Sequence, residues 1–360
     1  MAEATDQPST VSTTPPAVAE QLPVDSSFLI HYIDVGQADA ALVECDGHYM
    51  MIDGGNKADS SLIYSVLKNT GVTKLDIVVG THAHEDHIGG LPGAFNYATA
   101  DLTLCPTTIY DSDAFNDFKK YAEKNGGGIT IPSAGDTYTL GSATIDILGV
   151  NDGSDTNNTS IVLKITYGST AFLFTGDAER EVEQAILNRG ADLSATVLKV
   201  GHHGSDTSTT YPFLREIMPE YAIISVGKGN SYGHPTDNNL SRLRDADVTV
   251  YRTDLNGDIF VTSDGQSVSI SSDKTANNDE IMTPGGSVTT SPPATQKPDP
   301  VQIDSPSAST DYIVNTNTGK FHYPSCGSVK KMKESNKMYY TGTRDELISQ
   351  GYDPCGNCHP

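Results

Sequence analysis

Short apolar runs bounded by turn residues recur from residue 28 to residue 272, alternating with stretches of helical period. Phe28–Val35 reads as a strand, and Ala40–Glu44 with His48–Ile52 as a hairpin around Asp46-Gly47. The spacing predicts a helix over Ser60–Asn69, stopped by Gly71. The continuous apolar run Leu75–Gly80 reads as a buried strand, and Ala114–Lys124 as a helix closed by Gly126–Gly128. Strands are expected at Thr144–Leu148, Ser160–Thr166, Thr170–Thr175, Thr196–Val200 and Ala222–Val226. Glu179–Arg189, Tyr211–Met218 and Leu240–Asp245 read as helices, and Val248–Thr253, Gly257–Thr262 and Ser267–Ser271 as closing strands. The order predicts an α/β sandwich, paired sheets with helices outside.

Outside that region the pattern stops. Residues 1–27 are rich in Ser, Thr and Pro and read as a disordered tail, because they cannot bury enough apolar surface to offset ordering entropy. Residues 273–310 have the same character and read as a linker. A core of 28–272 and a small module of 311–360 remain. No apolar run approaches the length of a membrane span. The start lacks a basic then apolar segment, so no signal peptide is expected in this chain. Tail and linker together suggest an extracellular or cell-surface protein.

Charge narrows the partners. With 23 Lys and Arg against 46 Asp and Glu, the formal net charge is −23. A broad basic groove for nucleic acid is not expected, whereas a bound cation can still hold a phosphate locally.

Such a cation site stands out at Thr81-His82-Ala83-His84-Glu85-Asp86-His87, directly after the strand predicted at Leu75–Gly80. So many imidazoles and carboxylates cannot sit in an apolar core without partners. A loop leaving a strand end can aim them at one point, where they suit zinc, manganese or iron. His82 and His84 can share one ion, and Asp86 and His87 can serve a second. Asp177 is the candidate bridge, since Phe172-Leu-Phe-Thr-Gly-Asp177 is an apolar run ending in Gly-Asp. His202-His203 and His234 also follow predicted strands. His202 and His234 are read as ligands, and His203 equally as a ligand, a proton donor or a phosphate contact. Asp86, His203 and His234 are the candidate catalytic groups. His31 and His48 lie within strand patterns and are read as structural.

Together these residues resemble the metallo-β-lactamase superfamily, whose signature is His-x-His-x-Asp-His followed by a bridging Asp. Asp34-Val-Gly-Gln-Ala-Asp39, Ile52-Asp-Gly-Gly55, Asn157-Asn-Thr-Ser160, His202-His-Gly-Ser205 and Tyr232-Gly-His-Pro235 are similar to the ComEC-like subfamily, which includes phosphorylcholine esterase. The resemblance covers roughly residues 28–272 and implies an αββα sandwich with two metals, zinc or alternatively manganese or iron, at the sheet edges. It implies a hydrolase of phosphoesters, a nuclease or phosphodiesterase using a metal-bridging hydroxide, or else an esterase acting on cell-wall phosphocholine. A metal-bound, non-catalytic surface binding protein is the contrasting expectation. Ala38 replaces the usual second glycine of the first motif, and Asn158 lies where many members place a third His.

The module carries His322-x₃-Cys326 and Cys355-x₂-Cys358. Fifty residues make a small core, and a structural zinc on His322, Cys326, Cys355 and Cys358 would staple it, with His359 able to replace His322. The module resembles the metal-binding module of the Ada family. That resemblance implies nucleic-acid contact, with which the lysines at 320, 330, 331, 333 and 337 agree.

Overall fold

The computed structural model describes residues 22, 26–285, 310–316, 318–355, 358 and 360. Most of the expected tail, residues 286–309 of the expected linker and His359 therefore lie outside the described residues.

Two sheets face each other. One has eight strands, in the order Val268–Ser272, Ile259–Ser263, Phe28–Tyr32, Ala40–Cys45, His48–Gly54, Lys74–Val79, Thr99–Leu104 and Ile129–Thr130. The other has seven, in the order Thr249–Arg252, Tyr221–Ile224, Val197–Lys199, Thr170–Phe174, Val162–Tyr167, Ala143–Gly149 and Thr137–Leu140. Between them lies an apolar layer that includes Ile30, Val43, Ile52, Ile165, Phe172 and Val261. The stacked rings of Phe28 and Phe172, 4.6 Å apart, join the two sheets. Each such buried side chain contributes about 1.5–3 kcal/mol.

Helices cover both outer faces. Ser60–Thr70, Leu91–Tyr97 and Asp113–Asn125 pack on the first sheet, and Arg180–Arg189, Tyr211–Ile217 and Asp237–Asp245 on the second. The αββα sandwich expected from the sequence is therefore the fold. The sequence accounts for these helices locally. Ser112 Oγ accepts from Phe115 N–H at 3.1 Å and starts Asp113–Asn125, which turns Ala114, Phe115, Phe118 and Ala122 inward. Gly71, in the left-handed conformation (φ 73°), ends Ser60–Thr70.

Two expectations change. The strand from Phe28 stops at Tyr32, because Asp34 N–H turns to the Asp258 carboxylate at 2.8 Å. The expected linker began at 273, yet Asp273–Gly285 fold onto the core. Arg252 Nη1 donates to Ile281 O at 2.9 Å, and Gly285 N–H donates to Pro235 O at 2.9 Å, beside His234. A buried arginine needs acceptors, and this segment supplies them.

A third sheet, Lys337–Gly342, Thr310–Asn315, Lys320–His322 and Asp353–Pro354, forms the C-terminal module.

Candidate metal centre

Strand direction explains why distant residues meet. Thr170–Phe174, Val197–Lys199 and Tyr221–Ile224 are neighbouring parallel strands, so their carboxyl ends share one edge. Asp177, His202-His203 and His234 follow those ends in turn. Lys74–Val79 of the facing sheet delivers His82–His87 to the same edge. Ile161 N–H donates to Thr81 O at 2.8 Å and ties the two sheets together there. Gly176 makes its turn with φ 51°, and a β-carbon on it would lie 3.0 Å from both Ser160 Oγ and Thr81.

Donor atoms cluster at that edge. His82, His87 and Asp177 each offer a ligand atom within 4.8 Å of the others, and so do Asp86, His87 and His203. His82 Nε2 and His84 Nδ1 are 3.1 Å apart. His87 Nε2 lies 3.3 Å from Asp177 Oδ1, and His203 Nε2 lies 3.3 Å from Asp86 Oδ2. Two ligands on one tetrahedral zinc, each bonded at ~2.0–2.1 Å, sit roughly 3.4 Å apart. Among the described residues, His87 Nε2, Asp177 Oδ1 and His203 Nε2 are buried without a hydrogen-bond partner. Buried polar atoms are rarely left so. The donor set therefore fits divalent cations.

The other ring nitrogens are held. His87 Nδ1 faces Asp53 Oδ2 at 2.8 Å, and the Asp53 carboxylate also accepts from Thr81 N–H and Oγ1 at 2.8 and 2.7 Å. His203 Nδ1 contacts Ser225 O at 3.0 Å and Asp39 Oδ1 at 3.2 Å. Asp39 is paired with Lys199 Nζ at 2.7 Å. Such partners fix which nitrogen faces a metal.

Without a cation, the charge on these groups follows from their surroundings, and a bound cation would take the place of the proton on His87 Nε2 and His203 Nε2. Burial opposes charge on His87, yet Asp177, Asp53 and Asp86 outweigh it and hold its pKa well above the usual value. His203 is likewise buried but raised to about 10, by Asp177, Asp39 and Asp86. Burial of Asp177 is outweighed by His87, His203 and His202, which keep it a carboxylate. Burial lowers His82 and His84, and burial with the neighbouring His202 and His203 takes His234 to about 4.

The sequence reading makes His202 a ligand and leaves His203 open as a ligand, a proton donor or a phosphate contact. The structure groups His203 with Asp86 and His87, while His202 lies outside both donor groups and borders the cavity. His202 Nδ1 is 3.3 Å from Glu179 Oε1, and its Nε2 is 3.6 Å from Asp177 Oδ2. Despite burial, those two carboxylates raise its pKa. His203 and His202 have φ of 52° and 50°, a doubled left-handed turn, and their ring planes lie 66° apart. His234 stands apart from both ligand groups, its ring centre 5.6 Å from that of His202. Its Nδ1 is buried without a partner among the described residues.

Asn158 does not reach the centre. Its side chain bonds Asp155 Oδ2 at 3.1 Å and Glu179 N–H at 3.0 Å. Ala38 is fully buried in the apolar layer under the helices. His31 and His48 lie elsewhere, paired with Asp258 at 2.7 Å and Asp76 at 3.0 Å.

An open cavity of about 360 Å³ leads to the donors, lined by Gln37, His84, Asn157, His202, Tyr232 and His234 among others. Tyr232 is 71% exposed, and its ring stacks on His234 at 5.7 Å. Asp39, Asp53 and Lys199 were not read from the sequence as site residues. For the two acids the signal was there, since Asp39 ends one quoted motif and Asp53 is the second residue of another.

In the module, His322, Cys326, Cys355 and Cys358 offer ligand atoms within 4.8 Å of one another. Lys320 pairs with Asp206 of the core and Lys337 with Glu334, so part of the lysine group is used within the fold.

The chain matches the family model described as Metallo-beta-lactamase superfamily over residues 33–228. It is 31% identical over 250 residues to ComE operon protein 3 of Bacillus subtilis (strain 168), covering 64% of this chain and 32% of that one. It is 29% identical over 228 residues to Competence protein ComA of Neisseria gonorrhoeae, covering 62% and 30%. The chain thus spans about a third of the length of these curated relatives. Among solved structures, the metallo-beta-lactamase fold protein YhfI from Bacillus subtilis aligns over 62% of this chain and 95% of that one, at 15% identity and TM-score 0.43.

Proposed function

The chain belongs to the metallo-β-lactamase superfamily, and from that premise we propose that it is a two-metal hydrolase of phosphoesters, a nuclease or phosphodiesterase. The observation that carries this reading is the convergence of the unpartnered His87 Nε2, His203 Nε2 and Asp177 Oδ1 at the foot of an open cavity. His82, His84, Asp86, His87, Asp177 and His203 would hold the cations. Bound there, divalent ions polarise a phosphoryl oxygen and lower the pKa of water.

The remaining work falls to the chain. A net charge of −23 repels anions, so a phosphate is favoured only where local positive charge faces it. His202 is the proton donor to the leaving oxygen, because it borders the cavity with its Nδ1 3.3 Å from Glu179 Oε1. Asp86, a carboxylate whose pKa is lowered to about 2, burial opposing and His87 and His203 prevailing, orients the incoming water. Gln37, whose Oε1 accepts from Gly227 N–H, offers its amide N–H groups to phosphoryl oxygens. His234, neutral at its lowered pKa, receives hydrogen bonds rather than giving up a proton. The module, with its own metal, directs the enzyme to a polymer outside the cell.

One observation favours the second reading, phosphorylcholine-esterase-like action. The exposed ring of Tyr232 shares the cavity with Glu85, a setting that suits a cationic substrate group.

The test is hydrolysis of bis-p-nitrophenyl phosphate with added zinc or manganese, in wild type and Asp177→Ala, beside a DNA oligonucleotide and p-nitrophenyl phosphorylcholine. Turnover lost in the variant supports the hydrolase. Preference between the last two substrates separates the readings, and no turnover on any of them overturns both.

A further inference from the structure

We propose that Asp353, in the C-terminal module, is a positioning residue for the core loop that carries His202 and His203. The loop needs holding. His202, His203 and Thr209 all adopt positive φ (50°, 52° and 57°). Non-glycine residues keep that conformation only where their surroundings enforce it.

Arg242 provides much of the enforcement. Its Nη1 donates to Ser208 O at 2.5 Å and Thr209 O at 2.8 Å, and its Nη2 donates to Asp206 O at 2.9 Å. It is 1% exposed, and its acceptors in the loop are neutral carbonyls. A buried guanidinium needs a counter-charge. Glu183 and Asp206 supply charge nearby, and the carboxylate within ion-pair distance among the described residues is that of Asp353, whose Oδ2 lies 3.5 Å from Arg242 Nη2 and 2.7 Å from Arg180 Nη2. Asp353 is itself 2% exposed. Arg180 grips the same loop, its N–H donating to Thr207 O at 3.0 Å. Its side chain also donates to Gly351 O, and Lys320 of the module pairs with Asp206 of the loop.

The position of Asp353 is set by the module's ligand group. Asp353–Pro354 pairs in parallel with Lys320–His322, Lys320 opposite Asp353. His322 ends one of these strands, and Cys355 follows the other. Order at the His/Cys group thus passes to Asp353, to the two arginines and to the loop. Loading the module with zinc and shaping the hydrolase centre become coupled.

Hydrogen exchange on the full chain tests this directly. In Asp353→Asn, exchange in the 201–210 segment should quicken by about tenfold, while His48–Gly54 keeps its wild-type rate. Cys355→Ser should quicken the same segment. On bis-p-nitrophenyl phosphate, kcat of Asp353→Asn should fall about tenfold with KM held within about twofold, and Asp353→Glu should recover part of it. This kinetic arm rests on the proposed hydrolase activity; the exchange arm does not, so a chain without turnover still tests the coupling. Unchanged exchange in the loop, or faster exchange spread evenly over the chain, overturns the proposal. Arg180→Gln takes the place of Asp353→Asn if that variant does not fold.

Discussion

Asp53 holds His87 by its Nδ1, at 2.8 Å, and so turns Nε2 toward Asp177. Asp53 sits in a left-handed conformation (φ 56°) that a side chain adopts only under constraint, and it spends its second oxygen on Thr81 N–H. Replacing it with Asn keeps the shape and removes the charge that fixes the imidazole. Asp53→Asn should bind zinc roughly 10–100-fold more weakly. Competition with a chromophoric chelator measures this; unaltered affinity would mean that the pair only supports the fold.

The neighbouring histidines should separate cleanly. His203→Gln should lose bound metal. His202→Gln should keep its metal and lose turnover by about 10²–10⁴, as removal of a proton donor does. Elemental analysis beside kinetics on bis-p-nitrophenyl phosphate distinguishes them. Metal loss in His202→Gln alone would make His202 the ligand instead.

Asp177 faces both ligand groups. Wild type should carry about three metals per chain, two at the sheet edges and one in the module. Asp177→Ala should retain about one. A wild-type content of about one would argue against a dinuclear centre.

Lys199 and Asp39 form a pair in which both side chains are under 10% exposed, 4% and 7%, at 2.7 Å. Lys199→Met leaves the buried Asp39 carboxylate with His203 as its remaining charged partner. Such a loss destabilises by about 3–5 kcal/mol. Urea denaturation would show it as a lowered midpoint; a change below about 1 kcal/mol would mean that water reaches Asp39.

Asp192 accepts from Lys164 Nζ at 2.8 Å, and this bond with those from Ser194 lowers its pKa to about 2. A depressed carboxylate stabilises the fold above its unfolded pKa, near 4, and the effect disappears as pH falls through about 2. Asp192 is 75% exposed, so the gain is discounted to at most about 1 kcal/mol. The melting temperature of Asp192→Asn should lie below wild type at pH 7 and meet it near pH 2. A gap that persists at the acid end would assign the effect to packing.

Hydrophobic pattern made most strands and helices legible, because their buried faces repeat at the period of the backbone. The helix Leu91–Tyr97 was not legible. Gly90-Leu91-Pro92-Gly93 looks like a turn, yet Pro92 occupies the helix start, where its missing N–H costs nothing. A β-carbon on Gly90 would lie 1.8 Å from Gly54 O, so this glycine serves close backbone contact. The ligand types could be read from the loop His82–His87, since nothing else explains such density after an apolar strand. The choice between His202 and His203 could not, because it depends on Ser225 and Asp39, distant in sequence. The docking of Asp353 was equally hidden, as a lone acid in a polar stretch carries no sign of an arginine more than a hundred residues upstream.

Three adjacent parallel strands deliver Asp177, the histidine pair and His234 to one rim. Strand spacing in a hydrogen-bonded ladder is nearly constant, at about 4.7–4.9 Å. The ladder therefore works as a ruler: it sets how far apart the donors begin before any loop contributes. Loops such as the one bearing Tyr232 can lengthen or change composition without disturbing that measure. New substrates can then be tried on a reactive centre that stays the same.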